Sequence, residues 1–429
     1  MEINEEKKER RQLLNGDATI WAMVVVLCCI SLVEVFSASS RLTFGKSSFL
    51  TPIISHTVHL VMGLGLMYVL HLLHYKWYRL FPVLLVPVSI ILLGILSVQS
   101  ASSSGAERWI NLGFFQLQPS EVGKIAVIMS VAYWLSKLKP DDELSQSNTF
   151  WKIMALTGLV CLLIIGENLS TALLLAGVIF VMMILGGIAW KRILALSGVV
   201  AAAGIVALVV LLFVPAQTIR DSRIIPSRAT TWQARLQDFF QPGSEGSPTA
   251  YEYAKLVAPE KPQETHANIA IATSNILGKG PGNSVERDYL QEASCDFIYA
   301  IIIEELGMAG GIVVMLVYVI LLFRVGRIAT RCKEKYPAYL AMGLGMLIGL
   351  QAFINMSVAV GLFPVTGQPL PLISKGGTSV LMTSFCIGML LGISNTLEKE
   401  ARGESVLGTE TDIPTPIEGE ESFDDITES

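Results

Sequence analysis

The sequence predicts an all-α, polytopic membrane protein with about ten transmembrane helices and one long extracytoplasmic loop. Three observations carry that prediction. Of the 429 residues, 52% are hydrophobic and only 16% charged, against roughly 25% charged in a typical soluble domain. With a mean hydropathy of +0.56, the apolar excess is too large for a single core. The apolar residues also fall into runs of about 20, each long enough to cross a bilayer, and lysine and arginine concentrate in alternate connecting segments, as the positive-inside rule requires.

The expected spans are 18–38, 52–73, 80–98, 118–137, 152–166, 170–189, 193–214, 295–323, 337–360 and 376–396. The first follows the basic stretch KKERR but is longer than the apolar core of a signal peptide, and further spans follow it, so it reads as an uncleaved helix. A cytosolic N-terminus (residues 1–17) places Lys7, Lys8, Arg10, Arg11, Lys76, Arg79, Lys191, Arg192, Arg324, Arg327, Arg331, Lys333 and Lys335 on the same side. The reverse orientation would translocate all of them. Residues 397–429 hold 11 acidic and 2 basic side chains, leaving 29 basic against 25 acidic in the rest, so the formal net charge of -5 belongs to this tail. The tail, with two prolines and few large apolar residues, is expected to be disordered and cytosolic.

The segment 215–294 is the one long stretch outside the expected spans. In it Trp232, Leu236, Phe239 and Phe240 recur at helical spacing over 228–240, which predicts an amphipathic interfacial helix. Ile269, Ala272, Thr273 and Ile276 form a second periodic stretch that leads into GKGPGNS. There is no internal repeat of the kind that builds many transporters. A nucleic-acid binder would show a basic face in a soluble fold, which is absent. P-loop, HExxH and dinucleotide fingerprints are absent too, so no nucleotide cofactor is expected. The six cysteines lie mostly within apolar runs and suggest no disulfide framework.

Ionisable residues at membrane depth are costly and are therefore candidates for function. Asp296 opens the eighth span directly after the long loop. Between a wet vestibule and apolar walls it suits a general base; the alternative is a helix cap. On a continuous helix Glu304 would lie about 80° from Asp296 and Glu305 about 180°, so only Glu304 would share its face, as a site residue or as a structural ion pair. Glu121 and Lys124, three apart at the start of the fourth span, share a face. Lys124 and the loop residue Arg108 together suit a diphosphate, and snorkelling to headgroups is the bland reading of Lys124. Lys279 and the glycines of GKGPGNS offer phosphate contacts or simply a turn. His56 and His59, like His71 and His74, make incomplete metal sites and read as packing. Glu34, near the outer end of the first span, reads as a snorkelling residue.

Five stretches, LVEVFSASS, GAERWINLGFFQLQPSEVGK, GENLSTALLL, GKGPGNSVERDYLQEASCDFIYAIIIEELG and GLFPVTGQPLPLISKGGTS, taken in order over about residues 18–396, resemble the SEDS family (shape, elongation, division and sporulation). The likeness is greater to its cell-division branch, FtsW, than to its elongation branch, RodA. The resemblance implies a peptidoglycan glycosyltransferase that polymerises lipid II at the septum, in the bacterial cytoplasmic membrane. It also implies a growing glycan strand as second substrate, with a class B penicillin-binding transpeptidase and other divisome membrane proteins as partners.

By the same resemblance, Asp296 is the catalytic aspartate, Glu121 and Lys124 match the QPSE-x-x-K residues, and Glu292 matches the glutamate before the aspartate. A divalent cation is a further candidate for holding the diphosphate, with no metal ligand assigned. Two positions depart from the family pattern: Asn168 stands where a carboxylate is usual, and Lys375 where a tyrosine is usual. The competing expectations are a lipid II flippase, which needs polar residues through the midplane, and a scaffold without its own activity.

Overall fold

The computed structural model describes residues 15–38, 51–102, 109–111, 116–213, 229, 232, 233, 262–290 and 293–402. Arg108, Glu292, the acidic tail and most of the expected interfacial helix lie outside them. The helices are α1 (Ala18–Ala38), α2 (Thr51–Leu72), α3 (Phe81–Ser102), α4 (Pro119–Ser136), α5 (Glu143–Ile165), α6 (Leu169–Leu185), α7 (Trp190–Phe213), α8 (Pro262–Thr273), α9 (Ile298–Arg331), α10 (Lys335–Ala359) and α11 (Gly377–Ala401). Each of the ten expected spans coincides with one of these, and α8 is additional. The one sheet among the described residues pairs Ile110 with Leu117 and Asn111 with Gln116.

Eight helices are long and apolar enough to cross a membrane on their own, which makes this a multi-pass membrane protein. The other two owe their place to neighbours. At 17 residues α6 is short, and α4 carries Glu121 and Lys124 but is buried at every residue from Pro119 to Ala132. A helix enclosed on all sides exposes no polar group to lipid, so it tolerates charges that a lipid-facing helix would not. Small residues let α11 lie close to α2: a Cβ on Gly388 would stand 2.9 Å from the Met67 Cα, and one on Gly392 would stand 3.0 Å from the Leu70 carbonyl oxygen.

One end of the bundle is pinned by charge. There Asp17 accepts the Thr19 N–H and so caps α1, and it also pairs with Arg324 at 2.6 Å. Arg79 meets Glu334 at 2.5 Å. The first pair joins the segment preceding α1 to the C-terminal part of α9, and the second joins the segments preceding α3 and α10.

The eighth span differs from its prediction as one continuous helix. Gly307 has φ 75° and ψ 179° inside α9, a conformation essentially confined to glycine. The piece after it, 308–331, is about 36 Å long and suffices to cross a hydrocarbon core of about 30 Å. The piece before it is a nine-residue half-helix, and residues 293–297 are turn. The break frees backbone groups that must find partners in a water-poor setting. The segment 275–280 supplies them: Lys279 and Gly280 donate their N–H groups to the carbonyls of Glu304 and Glu305 at 3.0 and 2.8 Å. In return Asn275 and Ile276 accept the N–H groups of Met308 and Ala309, both at 3.2 Å. The backbones approach so closely that a Cβ on Gly278 would collide with Glu305 and Gly307, and one on Gly307 with Ile276.

Gly307→Ala therefore combines a collision with a disfavoured conformation that alone costs about 1–3 kcal/mol. Thermal unfolding in detergent is expected to show a clear fall in Tm. Gly326→Ala, on the same helix with open space around it, is expected to leave Tm unchanged or higher. Equal Tm values for the two variants would contradict the break.

Candidate active site

Asp296 sits in the turn that precedes the half-helix and is half-buried. The N-cap position of α9 is Phe297, whose side chain makes no capping hydrogen bond. The helical-face argument linking Asp296 to Glu304 fails, since the chain between 293 and 297 is not helical.

The turn is strapped in place through its backbone. Asn355 of α10 donates its side-chain amide to the Asp296 carbonyl at 2.9 Å, and Ser374 donates to the Cys295 carbonyl at 2.6 Å. The Lys375 N–H donates to the Ser294 carbonyl at 2.8 Å, while the Cys295 thiol donates to the Lys375 carbonyl at 3.1 Å. The strap itself is held under strain: Leu372, buried, has φ 63°, a left-handed conformation costing about 1–2 kcal/mol for a residue with a side chain. Such strain persists only where surrounding contacts over-determine it. Here Ser31 of α1 donates to the Ile373 carbonyl, and the Ser374 hydroxyl accepts the Leu370 N–H.

Behind the turn a chain of buried side-chain amides runs into the bundle. Asn355 also donates to the Gln368 carbonyl at 2.7 Å, and Gln368 donates to Thr171 Oγ1 at 2.6 Å. One turn earlier on α10, Gln351 donates to the Pro369 carbonyl at 3.1 Å and accepts from Lys124 Nζ at 3.3 Å. Lys124 is fully buried and pairs with Glu121 at 2.8 Å. It therefore does not snorkel, and its ammonium is engaged by a carboxylate and an amide inside the bundle. Its charge is matched by a carboxylate on the same face of α4, beside a narrow cavity lined also by Gln351, Thr383 and Cys386. Asn168 accepts the N–H groups of Ser170 and Thr171 and so caps α6, a task that an amide performs without added charge.

Lys279 and Glu304 are brought together, but with each other, at 2.5 Å. Glu304 also accepts from the Ser284 hydroxyl and from the Val285 N–H. Glu305 accepts from the Ser37 hydroxyl and from the N–H groups of Gly282 and Ser284, and Arg287 lies 3.9 Å from it. With Gly278 and Asn283 donating within the loop, every backbone N–H of GKGPGNS is engaged inside the protein, proline having none. The loop is a clamp on the two glutamates rather than an open phosphate cradle. Glu34, fully buried, does not snorkel, and no hydrogen-bond partner of its carboxylate oxygens is found among the described residues. His56 pairs with Ser31 at 2.8 Å. Among the described residues, no group of three or more His, Cys, Asp or Glu side chains could hold a metal ion.

Sequence reasoning missed Gln351, Asn355, Gln368 and Ser374. The first two carried a usable signal, two amides spaced i, i+4 on an otherwise apolar span.

The fold and its strapped carboxylate define a class: a polytopic bundle with an acidic site at one end, built around a buried charged helix. The chain belongs to the FtsW/RodA/SpoVE family, described as cell cycle proteins, whose sequence model matches residues 17–399. It is 31% identical over 396 residues to the "Probable peptidoglycan glycosyltransferase FtsW" of Geobacter sulfurreducens, covering 90% of this chain and 97% of the relative. It is 30% identical over 398 residues to the protein of the same name from Nitrosomonas europaea, covering 90% and 95%. In three dimensions it resembles a chain of a peptidoglycan synthase complex solved to explain how polymerization and crosslinking are coordinated, with a TM-score of 0.65, 22% identity and 89% and 98% coverage. It also resembles the rod shape determining protein RodA of Thermus thermophilus, with a TM-score of 0.59, 21% identity and 90% and 98% coverage.

The buried Glu121–Lys124 pair yields a stability prediction. Lys124→Met leaves the carboxylate uncompensated and is expected to destabilise by about 3–5 kcal/mol, whereas Lys124→Met combined with Glu121→Leu recovers most of that loss. Both are read from thermal unfolding in detergent. A double variant no better than the single one would mean that the two charges are not each other's partners.

Proposed function

We propose that this chain is a peptidoglycan glycosyltransferase of septal cell-wall synthesis that polymerises lipid II at the outer face of the bacterial cytoplasmic membrane, with both termini in the cytosol. The observation that carries the assignment of the site is the Asp296 turn. A half-buried carboxylate is held there by three bonds to main-chain carbonyls of the turn and one from the Cys295 thiol, at the mouth of the bundle, where a sugar can approach from water while its polyprenyl chain stays in lipid. Family membership and the named relatives support the reaction class.

In this reading Asp296 accepts the proton of the 4-hydroxyl of the lipid II N-acetylglucosamine. That oxygen attacks the anomeric carbon of the terminal N-acetylmuramic acid on the growing strand. The bond from that carbon to the diphosphate oxygen breaks, the configuration inverts to a β-1,4 linkage, and the electron pair leaves with undecaprenyl diphosphate. Anchoring the turn through its backbone leaves the carboxylate's geometry fixed before substrate arrives, which is how a positioned base lowers the barrier. A class B penicillin-binding transpeptidase, which crosslinks the strands, and other divisome membrane proteins are the partners that this role requires. A divalent cation on the leaving diphosphate is compatible with the chemistry.

The test is Asp296→Asn in the purified chain, reconstituted with a partner transpeptidase and labelled lipid II. The amide keeps the shape but cannot accept the proton, so polymer is expected to fall at least 100-fold with Tm and lipid II binding retained. Near-normal polymer would remove Asp296 from the mechanism.

A further inference from the structure

The proposed reaction expels a diphosphate, whose negative charge calls for a cation. Four cations lie among the described residues at the Asp296 end of the bundle: Lys124, Lys279, Arg287 and Lys375. Lys124 is buried against Glu121 and Gln351. Lys279 is paired with Glu304 and donates to Thr273. Arg287 donates to Ser37 and lies against Glu305. Lys375 uses only its main chain, which pairs with Ser294 and Cys295, the two residues before Asp296. Its ammonium is in no ion pair and donates no hydrogen bond among the described residues. The residue is half-buried.

Resting on the general-base reading of Asp296, we propose that Lys375 is a substrate-binding residue whose ammonium takes the diphosphate of the polyprenyl-linked sugar held at the Asp296 turn. A lysine whose main chain pairs with the two residues before the base has its ammonium within reach of the developing charge of the leaving group, and a point charge on a flexible stem suits phosphate oxygens. The backbone pairing places the Lys375 main chain against the turn that carries the base, and the flexible stem lets the ammonium reach a diphosphate held there. The strain at Leu372 lies in the same strap, three residues before Lys375.

The experiment measures binding rather than turnover, so that it stands apart from the fate of Asp296. Undecaprenyl diphosphate, undecaprenyl monophosphate and lipid II are titrated into the detergent-solubilised full chain as wild type, Lys375→Met, Lys375→Arg and Asp296→Asn. Loss of one charge-assisted contact is expected to weaken undecaprenyl diphosphate and lipid II by about tenfold or more in Lys375→Met. The monophosphate is expected to bind more weakly than the diphosphate to wild type and to lose that disadvantage in this variant. Lys375→Arg keeps the charge and is expected to stay within about threefold of wild type, which separates ligand loss from misfolding. Asp296→Asn is expected to bind both diphosphates like wild type. Unchanged affinity in Lys375→Met would overturn the proposal. So would a loss confined to lipid II, since that would give the ammonium to a carboxylate of the stem peptide. An active Asp296→Asn enzyme with normal Lys375 dependence of binding would sink the general base and leave the diphosphate site standing.

Discussion

A membrane helix broken at Gly307 is the constraint on which the site depends. In a lipid setting every backbone N–H and carbonyl needs an internal partner, and a break in a helix exposes several at once. The segment 275–280 satisfies them through four main-chain hydrogen bonds, and the close approach of Gly278 to Gly307 leaves no room for a side chain on either. Glu304 and Glu305 lie at that break and are fully buried. Two carboxylates there are tolerable because loop N–H groups, Ser37, Ser284 and Lys279 supply the donors that water would otherwise give.

This clamp has a consequence for chemistry. It ties the C-terminal end of α1, through Ser37 and Arg287, to the break in α9. The half-helix is therefore held at its break by the loop, and at its beginning by the strap from residues 374 and 375 and by Asn355. With both ends of the half-helix fixed, the Asp296 turn has little freedom to shift. A general base needs that kind of positioning, and here it comes from main-chain contacts of the turn rather than from bonds to the carboxylate alone.

Charge is sorted in the same economical way. Lys124, Lys279 and Arg287 are each matched to a carboxylate or a hydroxyl and stabilise the fold, since an unmatched buried charge would be severely destabilising. The amides Gln351 and Asn355 connect the buried pair on α4 with the turn at the mouth of the bundle, so that the interior helix and the site share one polar network. Disturbing that network from within the bundle is thus expected to be felt at the turn, although the two lie on different helices.

The sequence by itself determined where the membrane spans lie, because spans are set by the length and apolarity of local runs, properties of contiguous residues. It also singled out Asp296, Glu121, Lys124, Lys279 and Glu304 as charges out of place in an apolar chain. Partnership was decided only by the tertiary structure. Glu304 meets Lys279 across 25 residues, Lys124 meets Gln351 across 227, and Ser374 reaches Cys295 across 79; no periodicity within a segment encodes such contacts. The break at Gly307 escaped the sequence for the same reason: a glycine in an apolar run reads as helix until a second segment arrives to satisfy the backbone that it frees.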